Sequence, residues 1–192
     1  LYKELLNFCT VDLSAFYFDI RKDALYCDTK DSPRRKSTLI LLNIILNSLM
    51  KWFAPILSFT TEEIYQLVSK KTKSIHLEKF LTFPKNFENL KLYDKWLRLL
   101  QIRDICNLSI EEKRAAKEIG SSLEASLIVK LKESDLNLIN EADLSELCIT
   151  SSVEIEKNSF DDIQVIANKA QGDKCPVCWK ISKKPCERHG QD

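Results

Sequence analysis

Three glycines in 192 residues, Gly120, Gly172 and Gly190, stand too far apart to build a glycine-rich phosphate loop, so no nucleotide site of that kind is encoded. A membrane-length apolar run is also missing. The most apolar stretch, Leu39 to Met50, falls short of the roughly 20 residues a span needs. Asn43, Asn47 and Ser48 interrupt it, and it reads as a buried helix. No signal sequence is visible, and the chain opens at Leu1 without a methionine, as a piece cut from something larger would. Internal repeats and low-complexity tracts are absent. The seven cysteines do not form a disulfide framework. Three cluster near the end, and Cys9, Cys27, Cys106 and Cys148 lie singly within apolar patterns. That usage fits small core hydrophobes in a reducing compartment, hence a cytoplasmic protein.

What is present suffices for a core: 44% of residues are hydrophobic, enough for one compact domain or two to three small ones. The net charge of +1 hides an uneven distribution. Residues 1–119 hold 20 basic and 15 acidic side chains, residues 120–168 hold 3 and 10, and residues 169–192 hold 6 and 3. Two positive ends around an acidic middle is the asymmetry of a polyanion binder.

The clearest chemistry is near the end. Cys175-Pro-Val-Cys178 is followed, after seven residues, by Cys186-Glu-Arg-His189. Zinc takes four soft or borderline ligands at tetrahedral corners, about 2.0–2.3 Å away. A Cys-x-x-Cys turn aims two sulfurs at one point, and Cys186 with His189 supplies the opposite edge. The expected site is one structural zinc ion on Cys175, Cys178, Cys186 and His189, with no position left for water. The alternative is four unrelated residues in a frayed tail.

Residues 1–119 read as helices. Leu1, Leu5 and Phe8 suggest the end of one helix, broken near Thr10-Val11, and a second runs from about Asp12 to Tyr26. The third starts at an N-cap Ser32 with Pro33 in the first helical position, and Pro55 stops it. Thr60-Thr-Glu-Glu63 is a capping box that opens a fourth helix. Residues 71–87 form a polar connection. A last long helix carries Leu92, Trp96, Leu99, Leu100 and Cys106, with a break expected near Ser109 and a C-cap at Gly120. The pattern then changes. Strands are expected at 127–131, 151–156 and 163–167, with helical composition over Ser134 to Leu147. The fold class is therefore mainly α: a helix bundle over 1–119, a small α/β segment over 120–168, and a zinc knuckle over 169–192.

Several stretches resemble a known family. Phe8-Cys-Thr-Val-Asp-Leu-Ser-Ala-Phe-Tyr-Phe-Asp-Ile-Arg-Lys-Asp-Ala-Leu-Tyr-Cys27 is similar to the anticodon-binding region of bacterial-type isoleucyl-tRNA synthetases. Ser32-Pro-Arg-Arg35, Ala54-Pro-Ile-Leu-Ser-Phe-Thr-Thr-Glu-Glu63 and Ile119-Gly-Ser-Ser-Leu-Glu-Ala125 follow in the family's order, and Cys175-Pro-Val-Cys-Trp179 closes the chain. The first and third of these stretches are shared in looser form with valine and leucine enzymes; the Ile-Gly-Ser-Ser string with the terminal knuckle points to isoleucine. The resemblance implies a class I anticodon-binding bundle, a junction segment and a zinc finger. It implies a parent that activates isoleucine with ATP, transfers it to tRNA(Ile) and hydrolyses mischarged valine. The His-x-Gly-His-type and Lys-Met-Ser-Lys-Ser-type motifs of the catalytic domain are absent here. ATP therefore belongs to a catalytic domain upstream, and this chain has no catalytic residues. It can contribute recognition of the anticodon stem-loop, with no role for DNA or membrane, and a monomer is expected. Two departures are visible: the family usually ends its second knuckle in cysteine where this chain has His189, and the seven-residue spacer is short.

Arg34 and Arg35 sit one turn into the third helix, where cations oppose the helix dipole; that placement suggests a phosphate, and the alternative is a solvated helix face. Trp179 follows a metal-fixed knuckle and could stack on an unpaired base, or else cover the metal site. Lys180, Lys183, Lys184 and Arg188 could meet phosphates around it, or form an ordinary solubilising tail. Trp52, Trp96 and Phe16-Tyr17-Phe18 read as core. Rival functions are a non-catalytic zinc-clipped interaction module and a DNA-glycosylase-type zinc-finger tail; the latter would need a nucleophile and a helix-two-turn-helix, and residues 1–168 show neither.

Overall fold

The computed structural model describes residues 2–69, 73–139, 142–158 and 161–190. Within them the chain is mainly helical, with a small sheet and a Cys/His cluster near its end. Two compact units are present: residues 24–88 form one, and the residues on either side of that segment form the other.

In the 24–88 unit, α3 (Pro33–Phe53) starts as its sequence demands: Ser32 Oγ accepts from the Arg35 N–H, and Pro33 fills the first turn. Its burial differs from expectation. Leu39, Ile40, Leu41 and Leu46 are 36–63% exposed, and the buried residues of α3 are Thr38, Ser48 and Met50. The two hydroxyls bond back to Arg34 O and Ile44 O, so their burial leaves no orphan donor. The core of this unit is small, comprising Met50, Ala54, Tyr65 and Ile75, so one strip of α3 suffices to cover it. Helix α4 (Ser58–Ser69) begins before Thr60, and the expected capping box does not form. Thr61 Oγ1 bonds back to Leu57 O, while Glu62 receives Ser74 Oγ and the Ile75 N–H. Of the polar connection that follows, Lys71 and Thr72 lie outside the described residues; the rest contains two single-turn 3₁₀ segments, Ile75–Leu77 and Lys85–Phe87.

The other unit begins with α1 (Tyr2–Asn7), a π-helical stretch Phe8–Phe18 and the first residues of α2 (Asp19–Tyr26), whose residues 24–26 fall in the 24–88 unit. The break expected near Thr10-Val11 is replaced by this wider winding, with Thr10 Oγ1 bonded to Leu6 O. Helix α5 (Leu90–Ala115) also runs unbroken through Ser109, and it ends before Gly120. Lys117 adopts φ 58°; its N–H reaches Arg114 O, and the Glu118 N–H reaches Lys113 O. That pair of bonds is a Schellman ending, with lysine at the position glycine usually takes.

The sheet lies against α5. Strand β1 (Ala125–Leu131) alternates strictly between buried and half-buried residues, sending Ala125, Leu127, Val129 and Leu131 into the core with Leu99, Ile102, Cys106 and Ile110 of α5. Strand β2 (Ser152–Lys157) runs parallel to β1 through a crossover containing α6 (Glu133–Ile139) and α7 (Leu144–Leu147); β3 (Gln164–Lys169) runs antiparallel on the other edge. Phe16 and Trp96 pack edge to face, 6.3 Å apart, against the same core. Asp135 of α6 is almost fully buried and receives both Nε and Nη2 of Arg98, at 3.1 and 2.6 Å. The Arg103 Nε donates to Leu147 O, closing the end of α7. Among the described residues no helix is long and apolar enough to cross a membrane.

Two substitutions test this account. Lys117→Gly should raise stability by about 0.5–1 kcal/mol, because the left-handed conformation costs a non-glycine residue about 1–2 kcal/mol and glycine's greater unfolded-state freedom returns part of that. Leu127→Ala should lower it by about 2–5 kcal/mol, as expected for a fully buried leucine. Urea unfolding midpoints at unchanged m-value are the measurement.

Candidate metal centre and nucleic-acid interface

The last described residues bury almost no apolar side chain; of 173–190 only Cys175 and Cys178 are buried. Their shape comes from backbone bonds and convergent ligands. Strands β4 (Asp173–Lys174) and β5 (Ile181–Ser182) form a short antiparallel hairpin around the Cys-x-x-Cys turn. The Cys175 N–H donates to Lys180 O, and the Trp179 N–H donates to Cys175 O. Gly172 enters the hairpin at φ 122°, where a Cβ would stand 2.1 Å from Ser182 O, so only glycine fits. A second turn closes when the His189 N–H meets Cys186 O.

These turns bring Cys175, Cys178, Cys186 and His189 together, with one ligand atom from each and all within 4.8 Å of one another. Bonds of the usual length from zinc at tetrahedral angles would put two sulfurs about 3.8 Å apart, and a sulfur and a nitrogen about 3.5 Å apart. Cys178 Sγ and Cys186 Sγ are 3.8 Å apart; His189 Nδ1 is 3.6 Å from Cys175 Sγ and 3.4 Å from Cys186 Sγ. The cluster can hold a metal ion. Burial alone would push the Cys175 thiol up, but the N–H groups of Cys178 and Val177 point at its sulfur and hold it down to about 6. Burial and the neighbouring Cys175 and Cys186 sulfurs push Cys178 up to about 11. Among the other cysteines, Cys148 is hydrogen-bonded to Cys106 in the core and is also raised, as a structural thiol should be.

The knuckle is docked rather than frayed. The Ile181 N–H donates to Ser151 Oγ, Lys180 Nζ donates to Ser145 Oγ at 3.1 Å, and Arg188 makes a two-pronged bond to Asp23 at 2.7 and 2.9 Å. Lys180 and Arg188 thus anchor the tail. Lys183 and Lys184 are exposed and have no ion pair among the described residues. Trp179 is 58% exposed at φ 65°, a conformation in which a bulky side chain is an outlier. The Lys174 ammonium, which sequence reasoning passed over, lies 5.3 Å from its ring centroid.

Arg34 finds an anion within its own unit, and Arg35 finds a backbone carbonyl. Arg34 binds both carboxylate oxygens of Asp28, at 2.8 and 2.7 Å, and Arg35 donates one N–H to Asp28 O. The position of Arg34 at the helix start therefore needs no external phosphate to explain it. Nothing in the spacing pointed to Asp28, since an acid six residues before an arginine fits no helical pairing rule.

A model of the family described as "Anticodon-binding domain of tRNA ligase" matches residues 1–129. The isoleucine–tRNA ligase of Pelagibacter ubique is 64% identical over 98% of this chain. Those of Methylacidiphilum infernorum and Bradyrhizobium diazoefficiens are 44% and 40% identical over 95% and 93% of it. The chain spans 21%, 20% and 19% of these relatives, respectively.

The cluster makes one prediction. Protein purified without added metal should carry one metal ion per chain by elemental analysis; a ratio near zero with unoxidised cysteines would refute it. His189→Ala should weaken retention at least about tenfold, Cys148→Ala should not change it, and acid should release the ion as protons displace it from the thiolates.

Proposed function

The chain belongs to the family of the anticodon-binding domain of tRNA ligases, as part of the C-terminal portion of an isoleucine–tRNA ligase, and from that premise we propose that it binds the anticodon stem-loop of tRNA(Ile). The parent would attach isoleucine to that tRNA with ATP and hydrolyse mischarged valine, both in regions outside this chain. It would work in the cytoplasm as a monomer, without DNA as a partner. In this reading residues 1–119 supply the helical anticodon-binding part, 120–168 the junction and 169–192 the finger.

The metal is zinc. Three thiolates and an imidazole are the donor set of closed, structural zinc sites, whereas magnesium or calcium would call for oxygen ligands. The ion would hold two turns that have almost no core of their own, and it would take no part in the chemistry.

Trp179 carries the proposal. A large aromatic residue occupies a left-handed position next to a ligand, where glycine would be relaxed, and it is presented to solvent. Strain of this kind persists where function uses it. An exposed ring on a rigid mount can stack with an unpaired base of any type, and single-stranded loops are where proteins read RNA. Lys183 and Lys184 stand on the same segment to meet phosphates. Lys180 and Arg188 hold the tail while adding to its field. In the helical unit Arg34 is the clamp of Asp28, and Arg35, whose charge is met by a carbonyl rather than a carboxylate, is the phosphate contact.

Binding to an anticodon stem-loop tests the reading. Trp179→Ala should weaken it by about 1–3 kcal/mol with the salt slope nearly unchanged. Arg35→Ala and Lys183→Ala should each flatten the log–log salt slope by about 0.7. If metal content holds and Trp179→Ala binds like the unsubstituted chain, the ring is only a lid. The chain alone should show no isoleucine-dependent exchange of pyrophosphate into ATP; measurable exchange would reveal an active site within it.

A further inference from the structure

Beside the hairpin lies a groove of about 650 Å³, lined on one side by Ser126, Ser152 and Asn168 and on the other by Ser182 and Lys183. Its floor follows from strand alternation. Because β1 turns Ala125 and Leu127 into the core, Ser126 faces the opposite way, and the register sets Ser152 of β2 and Asn168 of β3 directly beside it. The Ser126 and Ser152 hydroxyls are 2.9 Å apart. One donates to the other, so the second keeps its own proton for a ligand and both oxygens keep lone pairs. Among the described residues no carboxylate lines the groove, although four of its lining residues come from the acidic middle segment. Ser182 and Lys183 also line the hollow over the metal cluster, together with Lys174 and Lys184, so groove and knuckle form one continuous surface.

We propose that this groove is a ribose–phosphate subsite for the nucleotide adjoining the one stacked on Trp179, with Ser126, Ser152 and Asn168 engaging its 2′-hydroxyl and Lys183 its phosphate. The assignment rests on the anticodon-binding reading above. The lining fits a sugar and its phosphate rather than a base or a peptide side chain: it has hydroxyl and amide groups able both to donate and to accept, two lysines, Lys169 and Lys183, and Ile181 as its one large apolar residue. A hydroxyl that both donates and accepts is what separates RNA from DNA at a given position.

The test compares an anticodon stem-loop in RNA with the same loop carrying 2′-deoxy nucleotides, measured by direct binding to the full 192-residue chain. The unsubstituted chain should favour the all-RNA loop. The triple variant Ser126→Ala, Ser152→Ala, Asn168→Ala should bind RNA about tenfold more weakly, bind the deoxy loop as before, and keep its salt slope, metal content and unfolding midpoint. Should that variant misfold, Asn168→Asp alone serves, since an added carboxylate in the groove should repel the phosphate and steepen the loss at low salt. A folded triple variant that still prefers RNA to the deoxy loop overturns the subsite while leaving Trp179 and the anticodon reading intact. Failure of the unsubstituted chain to bind either loop overturns both.

Discussion

A segment with two buried residues in eighteen has no hydrophobic effect with which to hold a shape. In residues 173–190 that role falls to the convergence of three sulfurs and one imidazole nitrogen. Everything proposed for the far end of the molecule follows from it. The Cys-x-x-Cys turn places Trp179 in a left-handed conformation that an isolated peptide would leave, and the hairpin it closes brings Ser182 and Lys183 beside the sheet. Remove the convergence and the ring, the cations and the groove wall lose their fixed positions together.

The sheet gives this small device something to stand on. Strand β1 is central, with its buried face sealed by α5 and the crossover helices, so the strand order is set by one hydrophobic surface. Its outer face then has no core duty and can carry Ser126. The contacts that dock the knuckle come from Ser145, Ser151 and Asp23, one polar group from each of three places in the chain. Each bond is modest. Their number fixes the orientation of the knuckle, while the ligands fix its internal form.

Features governed by local chemistry were legible in the sequence. Ser32-Pro33 opened α3, the short apolar run at 127–131 was a strand, and the paired ligand spacing marked a site that the fold assembles. Features governed by a choice among competing local bonds, or by distant partners, were not. Gly120 looked like the end of α5, but Lys117 takes the left-handed position because two backbone bonds are available there. The Thr60–Glu63 box matched its pattern, yet α4 begins at Ser58, so Thr60 has no helix start to cap. The apolar run of α3 promised burial, but burial depends on what faces a helix, and the 24–88 unit covers only one strip of it. The Arg188–Asp23 pair spans 165 positions and leaves no trace in any window of sequence.

Charge counting misleads in a similar way, and the arginines show why. All seven make an internal hydrogen bond: Arg21 to Glu146, Arg34 and Arg35 to Asp28, Arg98 to Asp135, Arg103 to Leu147 O, Arg114 to Glu111 and Arg188 to Asp23. The planar guanidinium fork matches a carboxylate edge and loses little by being held, so folding draws on it first. An ammonium is a hydrated point charge on a flexible stem, and Lys183 and Lys184 stay on the surface. The positive balance of residues 169–192 is therefore divided between cations held by the fold and cations left exposed. Arg188 and Lys180 anchor the finger, and Lys183 and Lys184 have no ion pair among the described residues, which is why its phosphate contacts are proposed at those two lysines.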